Sequence, residues 1–182
     1  MIRALSRRFA RAAQRLRRDE AGSATAEFVI IVPFLLAIFM AAFESGLLMT
    51  RSIMLEQSVD MTMRELRLGH YTLPDATLLK REICSRTVIL ANCQENITIE
   101  MTRISTSNFS MPTGAVQCID RSEDIQPVTA LQIGQKNDIM LIRVCVVQDA
   151  MFPFTGIGLG LPKDGKGGYG ITSVSAFVTE PI

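Results

Sequence analysis

Apolar positions along this chain follow a helical period first and an alternating one later. From Phe28 to Phe43 there are sixteen residues without a charge, and the run reaches about twenty if Glu44 is accepted on the way to Met49. At ~1.5 Å per residue such a helix spans a hydrocarbon core of ~30 Å. Beyond Glu44 the register turns more polar. Leu48, Leu55, Val59 and Leu66 recur at a and d spacing, with Ser52 and Thr62 in the same seam. Asp60 and Arg64 stand one turn apart, which predicts a surface ion pair. Gly69 followed by Pro74 predicts the stop. The pattern predicts one helix from Ser23 to Leu68, half in lipid and half a stalk outside it.

The segment Thr72 to Asp75 reads as the start of a second helix, carrying Leu78, Leu79 and Ile83 and ending near Asn92. Strands follow. Ile97, Ile99 and Met101 alternate with Thr98, Glu100 and Thr102, while Asp138 to Val147 is the denser apolar run of a central strand. Val116 to Ile119 reads as a further short strand and Ile171 to Thr179 as the closing one. Ser105 to Ser110 and Arg121 to Gln126 read as loops. Glycines at 156, 158, 160, 165, 167, 168 and 170 make 153–170 a long surface loop. The expected fold is α+β: a long N-terminal transmembrane and stalk helix, then a small domain with a second helix and an antiparallel β-sheet. The expected divisions are a basic leader at 1–22, the transmembrane and stalk helix at 23–69, and an α+β domain at 70–182.

Charge sharpens this division. Residues 1–18 carry seven arginines and no acid, placed around Ile2, Leu5, Phe9, Ala12 and Leu16 as a basic amphipathic segment. Beyond Gly22 carboxylates outnumber bases, with no basic stripe interleaved with aromatics, which argues against nucleic-acid binding. Arginines beside an apolar run stay on the cytoplasmic side, so residues beyond ~45 are expected across the membrane, where disulfides persist. Four cysteines follow the run: Cys84, Cys93, Cys118 and Cys145. Three pairings are open. Loop-closure entropy favours Cys84 with Cys93 and Cys118 with Cys145, four buried thiols being the alternative.

Candidate chemistry is sparse. Pro33 removes a backbone hydrogen bond and predicts a kink or local melting between Phe28 and Pro33. His70 is the sole histidine, so a His-based triad or multi-histidine metal site is excluded. Asp120, Glu123 and Asp124 lack the spacing and turn glycine of a calcium loop and read as solvated. The G-x-G-x-G at 156–160 looks like a phosphate loop, but no helical pattern follows it and Gly165-Lys166-Gly167 lacks the required Ser or Thr. Asn96 and Asn108 satisfy the glycosylation sequon, which has meaning only in a cell that reads it. No activated nucleophile or paired carboxylates emerge, so no enzyme, cofactor, metal or small-molecule substrate is expected.

The stretch Asp19 to Val29 (DEAGSATAEFV) resembles the processing region of the TadE-like family, minor pseudopilins of the bacterial tight-adherence (Tad/Flp) type IV pilus. The family pattern is a basic leader, a glycine, four small residues, glutamate, an aromatic and an apolar run with proline. Gly22, Ser23 to Ala26, Glu27, Phe28 and Pro33 match it in order. Glu44 with Gly46 resembles the acidic-then-small pair at the end of that run, and Ser175 to Pro181 is similar to the family's closing strand. The resemblance covers residues 17–50, with Phe28 standing where the major pilin has tyrosine. It implies cleavage between Gly22 and Ser23 by a membrane prepilin peptidase and a recognition role for Glu27 and Phe28. It also implies pairing of Glu27 with a neighbouring subunit's amine. The implied partners are the peptidase, other pilin and pseudopilin subunits, the inner-membrane assembly platform and the lipid bilayer. The implied role is a minor pilin in initiation or assembly of an adhesive pilus, N-terminus cytoplasmic and C-terminal domain periplasmic. The alternative is an uncleaved inner-membrane assembly factor with a periplasmic interaction domain.

Overall fold

The computed structural model describes residues 23–71 and 74–180. The basic leader, Gly22, and the Thr72 expected to open the second helix lie outside them. The chain divides into two compact units, Met1–Ala42 and Phe43–Ile182. One continuous helix, α1 (Ser23–Arg67), belongs to both. It stays α-helical through Pro33, so the segment from Phe28 to Pro33 is helical rather than melted.

The half of α1 expected outside lipid is the core helix of the second unit. Leu55, Val59 and Met63 are buried on one face, with Ser58 and Thr62 beside them. Burying two hydroxyls needs partners, and both find backbone carbonyls. Ser58 donates to Ile83 O at 2.6 Å and Thr62 to Ser58 O at 2.8 Å. Asp60 takes a different partner from the one its spacing implies. Its carboxylate accepts from Ser175 Oγ at 2.9 Å, and no ion pair with Arg64 forms. The long-range contact supersedes the local one because Asp60 faces the third strand.

The second helix, α2 (Ala76–Ser85), opens with Asp75 as N-cap, its carboxylate accepting from Leu78 N at 2.7 Å. Leu79 and Ile83 enter the core. It ends at Ser85 rather than near Asn92. Thr87, Val88 and Ile89 are consecutive β-branched residues, which disfavour helix, and Thr87 Oγ1 donates back to Cys84 O. The chain then reverses through Asn92, left-handed at φ 48°, into the short α3 (Cys93–Asn96), with Cys84 bonded to Cys93 across the turn. Gln148 clamps this turn from the sheet, accepting from Ala91 N and donating to Ala91 O.

Three strands form an antiparallel sheet in the order β1 (Ile97–Ile104), β2 (Ile139–Gln148), β3 (Tyr169–Val178). The register sets Ile99 against Val144 and Val144 against Ser173. Period two therefore puts Ile97, Ile99, Met101, Met140, Ile142, Val144, Val146, Tyr169 and Ile171 on the face that joins the α1 and α2 core. The opposite face carries Arg143, which donates to Glu100 Oε2 directly across the register and to Gly114 O, each at 2.6 Å.

The long connection from β1 to β2 covers that opposite face. Val116 to Ile119, expected as a strand, has no strand pairing; it is fastened instead by Thr98 Oγ1 donating to Gln117 O and by the Cys118–Cys145 disulfide. The backbone slot beside β1 is taken by a single bridge between Met101 and Leu131. The glycine-rich segment is likewise more ordered than expected. It contains a short helix, α4 (Gly156–Gly160), and an antiparallel bridge from Lys163 to Tyr169.

Candidate functional site

The residues singled out for processing and assembly lie at the front of α1. Ser23 is its first residue; Glu27, Phe28 and Pro33 are exposed on it. Val29, Ile30, Ile31, Phe34, Leu35, Leu36, Ile38 and Phe39 are exposed as well. Among the described residues α1 is the one helix long and apolar enough to cross a membrane, and its most apolar window is not buried at all. An apolar surface that encircles a helix cannot be satisfied by packing one face on a domain; it matches a lipid or helical surround.

At the end of this run stands Glu44, which with Gly46 resembles the family's acidic-then-small pair but whose partners the sequence does not reveal. Glu44 is 1% exposed. Its Oε2 accepts from Met151 N at 3.0 Å and Phe152 N at 2.9 Å, residues more than a hundred positions away. Two turns on, Arg51 Nη1 donates to Asp149 O at 2.9 Å and to the Tyr169 hydroxyl at 2.7 Å. Glu44 and Arg51, seven residues apart and so on one helical face, fasten segment 149–152 to the helix. The available signal was the carboxylate itself: ionised groups at the border of an apolar run are expensive unless partnered.

A second polar cluster, also missed, closes the glycine-rich segment. Arg121 makes a two-point contact with Asp149, Nη2 to Oδ1 at 2.6 Å and Nη1 to Oδ2 at 3.1 Å, and its Nε donates to Asp164 Oδ2 at 2.6 Å. Asp164 also accepts from Gly168 N and Lys166 N. Hydrogen bonds to Asp149 and Asp164 raise the affinity of Arg121 for its proton. The Arg121 hydrogen bond lowers the Asp149 carboxyl below its usual value. At Asp164 burial pushes the carboxyl upward, and Arg121 with the Gly168 amide pulls it lower on balance. The Asp120 carboxylate accepts from Ser122 Oγ, Ser122 N and Gly165 N, and those bonds lower it too.

No group of three or more His, Cys, Asp or Glu side chains suited to a metal occurs among the described residues. His70 sits against Glu65 at 2.8 Å. Residues 156–160 coil into the short α4, and the cleft near the segment's far end is lined by Asp120, Lys163 and Asp164.

Residues 22–64 match the family model described as TadE-like protein. The match takes in the small residues before Glu27, the exposed apolar run, Glu44 and most of the core face of α1, and it stops before the sheet. No curated protein and no solved structure matches the chain.

Proposed function

We propose, from the match of residues 22–64 to the TadE-like family model, that the chain is associated with Tad pili as a minor pilin or pseudopilin acting in initiation or assembly of the pilus. A prepilin peptidase cuts between Gly22 and Ser23 on the cytoplasmic face. The apolar front of α1 then leaves lipid to pack against sister helices, with Phe43–Ile182 on the periplasmic side. The role is structural, with other pilin subunits and the inner-membrane assembly platform as partners.

The observation that carries this reading is the coincidence of the family match with a helix front left exposed all round. Two disulfides, Cys84–Cys93 and Cys118–Cys145, support the oxidising side of the membrane for the folded unit. The test is the intact mass of the chain extracted from membranes of cells with and without the peptidase. Peptidase-bearing cells should yield a chain beginning at Ser23. Persistence of residues 1–22 would overturn the processing step and favour an uncleaved assembly factor.

A further inference from the structure

From Ala150 to Pro162 the chain carries no charge, yet three of its large apolar side chains are exposed while Phe152 and Leu161 are half-buried. Phe154 is 87% exposed, Leu159 63% and Met151 54%. An exposed cluster of this kind on a folded unit marks an interaction surface. Its position is built, since Glu44 grips the Met151 and Phe152 amides and the Phe152 ring stands edge-on to Phe43 with centroids 6.1 Å apart. Gly158 keeps the return tight: a Cβ there would lie 2.8 Å from Phe152 O.

The anchoring point decides the partner. Phe43 is the last residue of the uncharged run that starts at Phe28, and α1 is unbroken across it. A helix leaving the bilayer at Phe43 and Glu44 therefore holds segment 150–161 at the level where hydrocarbon meets headgroups. Exposed Phe, Leu and Met side chains seat at that depth, ~5–10 Å into the boundary, by burying apolar area.

We propose that segment 150–161 is a second membrane contact, with Phe154, Leu159 and Met151 seated in the headgroup and acyl boundary and Glu44 as the positioning residue. The proposal rests on the reading of the apolar front of α1 as a bilayer span.

The chain has no tryptophan, so one introduced indole reports a single site. Phe154→Trp, Phe34→Trp and Val128→Trp variants of the full chain are reconstituted into phosphatidylcholine and phosphatidylglycerol vesicles, with or without brominated acyl chains. Phe34 lies in the apolar run and Val128 is 98% exposed on the folded unit. The expected result is roughly twofold or greater quenching of the indole at 154 by bromolipid with weak quenching by iodide. The indole at 128 should show the reverse. Iodide quenching at 154 with bromolipid quenching at 34 overturns the loop contact and leaves the span standing. Absence of bromolipid quenching at 34 overturns the span reading and the loop contact with it. Emission at 154 that ignores bromolipid but shifts with protein-to-lipid ratio assigns the patch to a second copy and also overturns the proposal. Adding Glu44→Ala to Phe154→Trp should exchange bromolipid quenching for iodide quenching while far-ultraviolet circular dichroism is retained. Unchanged bromolipid quenching would remove Glu44 from the positioning role.

Discussion

The guanidinium of Arg121 joins three segments that are distant in sequence: its own loop, the end of β2 through Asp149, and the glycine-rich segment through Asp164. The two contacts differ in weight. The Asp149 side chain is largely exposed and screened, whereas that of Asp164 is 5% exposed, and a buried carboxylate losing its cation is costly. Arg121→Met should therefore destabilise the folded unit by ~2–3 kcal/mol at neutral pH, somewhat below the usual cost of a broken buried pair because the Gly168 and Lys166 amides still hold Asp164. Acid sensitivity follows from the same geometry. Asp149 and Asp164 have carboxyls lowered from the usual 3.8, so the folded state binds their protons less readily than the unfolded chain. Their contribution is complete above that value and is lost as pH falls through the lowered folded values. Denaturant midpoints measured from pH 7 down to pH 2 should show the wild-type advantage over Arg121→Met shrinking below about pH 4. A constant difference across that range would contradict the assignment. None of this was legible in sequence. Arg121 and its partners are 28 and 43 residues apart, and a lone arginine in a polar stretch has the pattern of a solvated loop.

Elements with their own period were legible. The alternation of Ile97, Ile99 and Met101 and the dense apolar run of β2 announce an edge strand and a central one, because a half-covered sheet face writes itself into the chain at every second position. The misplaced elements had two causes: α2 stops early at the β-branched run Thr87-Val88-Ile89, a local signal outweighed by the apolar period before it, and 116–119 is held on the sheet by a distant disulfide without joining it. The two disulfides carry unequal weight. Cys118–Cys145 closes 27 residues and Cys84–Cys93 closes nine, so chain entropy assigns ~3.5 and ~2.6 kcal/mol respectively. The longer bridge is also packed against β3: a Cβ on Gly170 would lie 2.7 Å from Cys118 Sγ. Replacing Cys118 and Cys145 by serine should lower the thermal midpoint more than replacing Cys84 and Cys93. Proteolysis should then open residues 105–130 first, since the bridge is the covalent link among the contacts that fasten this connection to β1 and β2, the others being hydrogen bonds such as Thr98 to Gln117 O and Arg143 to Gly114 O. Equal midpoint losses for both pairs, with no new cleavage in that connection, would show that the 105–138 segment is held by other means.

At the scale of the whole molecule the proposed membrane anchoring gives the chain two solvents to satisfy, and it sets Glu27 in the less forgiving one. The folded unit has a buried core of its own, while the front of α1 is exposed all round and matches a surround of lipid or sister helices. An ionised carboxylate at mid-bilayer costs ~2.5–3.5 kcal/mol on insertion scales and less near the edge. Glu27 lies one turn from the Ser23 amine that processing would release, at a helix N-terminus whose dipole favours negative charge. In a lone membrane-inserted chain those two features only reduce its cost. In an assembly, pairing with the N-terminal amine of a neighbouring subunit would offset it further and fix the axial register of adjoining helices. Replacing Glu27 by alanine should therefore make membrane insertion easier and assembly worse. Three measurements on Glu27→Ala check this together: the mature mass should still begin at Ser23, membrane retention in carbonate should equal or exceed wild type, and surface piliation should fall sharply. Glu27→Asp keeps the charge with a shorter reach and should recover piliation only in part. Normal piliation by a correctly cleaved Glu27→Ala chain would make Glu27 an interfacial helix-capping residue. The drive to leave lipid would then come from the apolar run alone.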